Sequence, residues 1–195
     1  MATFQRVRLT VASPDALFDA FRLFGAQGNA IANQFNDDNK ALIIEQVGAS
    51  YDSGHWLVAS EWAHANTNSF LGDQTAWYGS AGYRVGKFTP YLTYSEVNAV
   101  GNTSPGLSLT GLPPAAAGFA AGLDAALGSL LESIAVQRTV SAGMRWDFFS
   151  NFDLKLQFDH TRLGAESDGT LLNIQPGFHT GGTVNLFSAN VDFVF

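Results

Sequence analysis

The last thirteen residues, TVNLFSANVDFVF, restrict the fold more than any other stretch. Their odd positions Phe187, Ala189, Val191, Phe193 and Phe195 are apolar, whereas Ser188, Asn190 and Asp192 between them are polar. A period of two puts these sets on opposite faces of a β-strand, one suited to apolar surroundings and the other to a wet or hydrogen-bonded interior. A single soluble edge strand can show the same alternation, so its recurrence along the chain decides the matter.

Strand character recurs in segments 4–13, 41–51, 55–65, 75–85, 88–97, 136–149, 152–163 and 184–195. Each is roughly ten residues or a little more, the length a tilted strand needs to cross a hydrocarbon layer. Connectors alternate between tight turns at 52–54, 86–87 and 150–151 and longer loops at 14–40, 66–74, 98–137 and 164–183. Short turns at one end and long loops at the other are the habit of bacterial outer-membrane barrels, with the C-terminus at the periplasmic end. The expected fold is therefore all-β: an antiparallel transmembrane β-barrel meander of about eight strands, residues 1–195 forming one domain.

Composition fits. Only 14% of residues are charged and mean hydropathy is +0.05, too apolar for a disordered chain. No run is uninterrupted and apolar enough for a confident spanning helix; the nearest, 113–131, is Ala-rich but holds Asp124 and three glycines. Without cysteine there are no disulfides, thiolate chemistry or cysteine-bound metals, and no metal or cofactor is expected. A net charge of −7 speaks against a nucleic-acid partner. Residues 1–11 include Arg6 and Arg8 but no apolar core of a secretory signal, so the chain reads as a mature or truncated form of an exported protein.

The alternation assigns faces. Outward sets are Val7, Leu9, Val11; Trp56, Val58, Ser60, Trp62; Trp77, Gly79, Ala81, Tyr83, Val85; Phe88, Pro90, Leu92, Tyr94; Val140, Ala142, Met144, Trp146, Phe148; and Phe152, Leu154, Leu156, Phe158. The inward, pore-lining set is Arg6, Arg8, Glu61, Arg84, Tyr91, Arg145, Asp147, Asp153, Lys155, Asp159 and Asp192. Charges of both signs along a lumen can orient polar solutes and set ion preference; pairing of these groups across strands inside a plugged barrel is the competing reading. Four outward charges break the pattern: Glu96, Arg138 and Arg162 at the loop ends of their strands, and Glu45, for which a β-bulge or phase slip in the second strand is the expected cause. Aromatics fall in two bands, with Trp56, Tyr83, Phe88, Trp146 and Phe152 near the turns and Trp62, Trp77, Tyr94, Phe158 and Phe187 near the loops, as in lipid-facing girdles.

Two loops carry helical patterns. With Ser13 as N-cap and Pro14 at the first helical position, Leu17, Phe18, Phe21 and Phe24 share a face; after Pro113 and Pro114, so do Phe119, Leu123, Leu127, Leu130, Leu131 and Ile134. The barrel rim, the lumen or a neighbouring subunit could bury these stripes, the rim being the plainest choice. The nine acidic residues at Asp15, Asp19, Asp37, Asp38, Asp73, Asp124, Glu132, Glu166 and Asp168 make the loop side acidic.

The stretches VGASYDSGHWLVASEWA, TAWYGSAGYRVGKFTPYLTYSEV, SAGMRWDFFSNFDLKLQFDH and TLLNIQPGF, followed by VNLFSANVDFVF, resemble the C-terminal half of a proteobacterial outer-membrane general porin. The resemblance covers most of the chain outside the two helical loops, and its strand-turn-strand phrases and terminal Phe recur across several barrel families. It implies a water-filled channel for passive diffusion of small hydrophilic solutes and ions, in a trimer of barrels with sixteen strands each. It further implies contact with outer-membrane lipid and lipopolysaccharide, and delivery by the barrel assembly machinery, which reads Phe193 and Phe195 as a terminal signal. The chain departs from the family in length, holding about half the strands, and eight strands closing alone would leave room only for side chains. A non-transporting eight-stranded anchor or interaction barrel is therefore the alternative. A lipocalin-like barrel would need the faces reversed. An enzyme is not expected: His160 beside Asp159, with Asp147 and Ser141 nearby, lacks the geometry because adjacent strand residues point to opposite faces, and GxSxG, HExxH and phosphate-cradling motifs are missing.

Overall fold

A computed structural model of the chain describes residues 1–12, 14–100, 104–171 and 173–194. In chain order the elements are β1 (Ala2–Leu9), α1 (Asp15–Arg22), α2 (Gly25–Phe35), β2 (Lys40–Asp52), β3 (Trp56–Thr67), β4 (Asp73–Tyr83), β5 (Phe88–Val100), α3 (Pro114–Glu132), β6 (Gln137–Phe149), β7 (Phe152–Leu163) and β8 (Thr183–Phe193). Each strand pairs antiparallel with its neighbour in sequence, so one eight-stranded sheet runs in the order β1 to β8. The all-β antiparallel meander expected from the alternation is the fold observed. Among the described residues β1 pairs only with β2 and β8 only with β7, so the curled sheet is open.

Local chemistry fixes the turns. Asp52 accepts a hydrogen bond from the Gly54 amide at 2.8 Å, and Gly54 takes φ +88° where a side chain would be strained. Ser53 Oγ then accepts from Trp56 N at 3.0 Å and starts β3. Gly86, at φ +59°, turns β4 into β5. The β6–β7 turn carries a register shift between Trp146 and Phe149. Asn151 locks the final strand to this turn, its carbonyl accepting from Val194 N at 3.0 Å and its amide donating to Val194 O at 3.1 Å.

Successive turns do not lie on one ladder row. The row that starts beside the first turn, at Asp52 and Leu57, continues through Gly82, Tyr91, Gly143 and Gln157, well up β7 from its own turn. Such a stagger is the tilt that a barrel wall requires.

Residues directly opposite one another share a face, so the register sorts every side chain. One face carries Thr3, Gln46, Glu61, Tyr78, Thr93, Arg145, Lys155 and Asn190; the other carries Phe4, Val47, Trp62, Trp77, Tyr94, Val140, Phe158 and Phe187. A single hollow of about 670 Å³ is lined on the first face by residues from β2 through β8, so that face is concave. On the convex face, cross-strand aromatic pairs join strands that the tight turns do not. Trp56 meets Tyr83 edge-on at 4.9 Å, Phe88 stacks on Trp146 at 5.8 Å, and Phe152 stacks on Phe193 at 5.7 Å.

In β1 the faces are the reverse of the sequence reading. Val7 lies opposite Leu42 and Thr3 opposite Gln46 on the concave side, while Arg6 and Arg8 lie on the convex side opposite Ile43 and Ala41. Arg6 and Arg8 therefore leave the pore-lining set, and Val7 and Leu9 leave the outward set. The cause is in the strand itself: Phe4 has the opposite parity to Val7 and Leu9, so no phase puts all three on one face, and pairing with β2 turns Phe4 outward. Arg8 donates to Asn39 O at 3.1 Å and Asn39 Oδ1 at 3.2 Å, holding the turn into β2, where Asn39 has φ +52°. The bulge expected at Glu45 is absent; the β2 register is continuous, and Glu45 stays convex, 4.0 Å from His64 Nδ1.

The hydrophobic core is not on the sheet. Phe18 and Phe21 of α1, Ile31, Ala32 and Phe35 of α2, and Ala120, Leu123 and Leu127 of α3 are buried together with Phe70 and Leu107 from loops. The helices pack on one another and on loops at the end away from the turns, and none packs on a sheet face. The single helix expected after Pro14 is two: the stripe breaks at Phe24, and Gly25 at φ +64° redirects the chain. Gly28 lets α2 close on α1, since a Cβ there would strike the Phe21 carbonyl. Pro14 is the N-cap, so the helix starts one residue later than expected, and Ser13 lies outside the described residues. By length and composition α3 could cross a membrane, yet Ala120, Leu123 and Leu127 bind it into this cap, and Phe119 stacks on Phe24 at 6.0 Å.

Asp37, 1% exposed after α2, is the buried acid of the cap. Burial pushes its carboxyl above the ordinary carboxylate range, against the opposing pull of Ser69 and Lys40. A raised folded-state pKa means that the protonated form stabilises: the contribution is complete below the ordinary carboxylate value and is lost as pH rises through the raised value. Asp37→Asn is thus expected to slow amide exchange in α2 and at Phe70 at neutral pH, with the difference from the parent closing in acid. Hydrogen exchange followed by mass spectrometry at several pH values checks this; faster exchange in the variant at pH 7 would refute it.

Candidate pore-lining surface

The concave face is polar because β4 to β8 each give it alternate residues, and its charges gather toward the turn end of β6, β7 and β8. Arg145 is clamped between two carboxylates, with Nη2 2.8 Å from Asp147 Oδ1 and 3.1 Å from Asp153 Oδ2. Asp153, 9% exposed, lies directly opposite Asp192, so the guanidinium offsets a repulsion across the β7–β8 pair. Asn190 donates to Asp192 at 2.9 Å, and Lys155, opposite both Arg145 and Asn190, holds its ammonium 5.2 Å from the centre of the Tyr91 ring.

Tyr91 spans the face. From β5 it lies over Gly143 on β6, and its hydroxyl donates to Gln157 Oε1 on β7 at 2.7 Å. Gln157 Nε2 in turn donates to Asp159 at 2.7 Å. Gly143 is needed because a Cβ would collide with the Tyr91 ring and the Leu156 carbonyl. Further from the turns, Ser80 and Thr93 share a 2.7 Å hydrogen bond, Thr139 and Thr161 one of 2.9 Å, and Gln46 donates to Glu61 at 3.5 Å.

Of the expected lining residues, Glu61, Tyr91, Arg145, Asp153, Lys155, Asp159 and Asp192 share this face, with Asp147 bound to Arg145. Arg84 does not join them. It sits past the end of β4 and grips Asp52 with both Nη atoms at 2.7 and 2.9 Å and Gly54 O at 3.0 Å, tying two turns together. The alternation also puts Gln157 on the inward face, but not its contact with Tyr91 over Gly143, since it gives a face and not the distance between strands two apart. Ser141 lies opposite Asp159 on the concave face, while His160 bonds Asn185 at 2.7 Å on the convex one, so these three do not form a catalytic set. Among the described residues no cluster of three or more His, Asp or Glu is arranged to hold a metal ion.

The ten aromatics expected as girdles, Trp56, Trp62, Trp77, Tyr83, Phe88, Tyr94, Trp146, Phe152, Phe158 and Phe187, all lie on the convex face, as does Phe193; Phe195 lies outside the described residues.

No known family profile and no curated protein matches the chain. Among solved structures it is similar to the crystal structure of Pseudomonas aeruginosa OccK3 (OpdO), at 10% identity and a TM-score of 0.38, over 78% of this chain and 44% of that one.

The Tyr91 bridge generates a direct test. Gly143→Ala forces the ring aside and is expected to destabilise the fold by about 1–3 kcal/mol, as overpacking does. Tyr91→Phe, which keeps the ring and loses one hydrogen bond, should cost about 1 kcal/mol. Tyr91→Ala in the Gly143→Ala background should recover part of the loss, a non-additivity readable in urea unfolding of the detergent-solubilised protein. Additive effects would show that ring and glycine are uncoupled.

Proposed function

We propose that the chain forms part of the wall of an outer-membrane channel for passive diffusion of small hydrophilic solutes and ions. One observation carries this reading. Every Asp, Glu, Lys and Arg on the convex face of the strands (Arg6, Arg8, Glu45, Asp73, Glu96, Arg138 and Arg162) is on the ladder row of Trp62 and Trp77 or on the helix side of it. From that row to the turns the convex face has none among the described residues, and Val58, Leu92, Phe158, Phe187 and Val191 are all more than 40% exposed there. On β7 the charge-free stretch runs from Phe152 to His160, close to the 9–11 residues of a spanning strand. A lipid-exposed arginine at mid-depth costs about 2–4 kcal/mol, which is why such a band stays free of charge.

The open edges fit a wall better than a complete barrel. Unpaired backbone groups of β1 and β8 are not tolerated in hydrocarbon, so further strands close the ring, and a larger ring leaves a water-filled lumen. Without Arg6 and Arg8 the concave face has Lys40, Arg145 and Lys155, with Arg84 at the turns, against Asp52, Glu61, Asp147, Asp153, Asp159 and Asp192. That excess of acid adds to the acidic loops.

The membrane reading is tested by tryptophan quenching with brominated lipids: Trp56, Trp62, Trp77 and Trp146 should all be quenched, and emission unchanged by bromine would reject it. For the channel, planar-bilayer reversal potentials should give a cation preference in dilute potassium chloride that fades in concentrated salt, where the screening length falls below about 8 Å. Anion preference in dilute salt would reverse the electrostatic assignment.

A further inference from the structure

The convex charges include a mismatch that the fold does not resolve internally. Glu96, Arg138 and Arg162 are consecutive on one ladder row across β5, β6 and β7, so two guanidinium groups stand directly opposite each other with one carboxylate beside them. Like charges in that position repel. Glu96, only 16% exposed, is already engaged: it accepts from Tyr94 Oη at 3.1 Å, Asn98 Nδ2 at 2.9 Å and Arg138 Nε at 3.2 Å. Arg138 is 66% exposed and pairs only with Glu96 among the described residues, and Arg162 makes no ion pair among them.

Beside the two arginines is a hollow of about 550 Å³, walled by Arg138, Arg162, Asn98, Gly164, Thr180 and Gly181. No Asp or Glu lines it. The acids of this region, Asp124, Glu132 and Glu166, line a separate hollow beyond the strip formed by Val136, Gly164 and Ala165. The site thus offers two guanidinium forks on adjacent strands, a threonine hydroxyl and backbone from two glycines. A carboxylate saturates one fork, whereas a tetrahedral phosphate monoester has three free oxygens and can accept from both.

We propose that this hollow binds a phosphate monoester on a lipid headgroup. Given the membrane reading above, on which this rests, the depth is right: Arg138 and Arg162 each sit one residue from the loop end of their strands, just beyond the charge-free stretch from Phe152 to His160 that is long enough to span, where headgroups begin. The lipid-facing site explains why two arginines remain paired side by side at the border of the charge-free band.

The test uses the full chain in nanodiscs of phosphatidylcholine doped with either phosphatidic acid, a monoester, or phosphatidylglycerol, a monoanionic diester, with retained lipid counted by native mass spectrometry. Phosphatidic acid should be retained about tenfold over phosphatidylglycerol, and Arg138→Gln with Arg162→Gln should remove that preference while tryptophan quenching by brominated lipid is unchanged. Equal retention of the two lipids by the parent protein overturns the proposal without any variant. So does a preference that survives the double substitution, or inorganic phosphate displacing phosphatidic acid at equal concentration, which would make this a site for free anions. Loss of quenching in the parent would reject the membrane reading itself, and this site with it.

Discussion

Continuous backbone pairing from β1 to β8 is the constraint on which the molecule depends. It decides the face of each side chain, because residues facing each other across a ladder point the same way. A one-residue slip between β5 and β6 would carry Arg145, Asp153 and Lys155 to the side of Trp77 and Tyr94. The Arg145–Asp153 bridge and the Tyr91–Gln157 hydrogen bond both cross strands, so each is satisfied in a single register. Polar contacts on the concave side thus specify the alignment that keeps the convex side apolar.

The distribution of burial separates two kinds of hydrophobicity. In the helical cap Phe18, Phe21 and Phe35 are essentially inaccessible, as in an ordinary protein core. On the sheet Phe187 is 67% exposed, Leu92 58% and Val191 52%, and none of the described residues covers them. A soluble β-protein with so large a face open to water would associate through it. The cap is held by burial of apolar groups from water, whereas the wall is held by its backbone ladder and the joints between side chains.

The sequence made the strands and turns legible wherever one phase of alternation fits. In β7, Phe152, Leu154, Leu156 and Phe158 oppose Asp153, Lys155, Gln157 and Asp159 without conflict, and the faces follow directly. In β1 the phases compete, since Phe4 opposes Val7 and Leu9, and only the partner strand decides. The run Leu42, Ile43, Ile44 in β2 has no alternation to offer, and Glu45 then looks like an error when it is a residue at the charged border. The break between α1 and α2 had a visible mark in Gly25, but the phenylalanine stripe continues beyond the end of α1 at Arg22 to Phe24 and so hides where the first helix stops. The contacts of Tyr91 and Arg84 were hidden for another reason: each depends on strands or turns brought together by stagger, which no local pattern encodes.

The aromatic joints on the convex face have a consequence for how such a wall can change. Tight turns connect β2 to β3, β4 to β5 and β6 to β7, while Trp56 with Tyr83, Phe88 with Trp146 and Phe152 with Phe193 connect one hairpin to the next. The β4–β5 hairpin therefore has half a joint on each flank, Tyr83 on one and Phe88 on the other, and the β6–β7 hairpin does likewise with Trp146 and Phe152. Two strands and their turn form a module whose borders are interchangeable. Duplication or loss of one hairpin leaves every joint with a partner, so the circumference of the wall can evolve in steps of two strands.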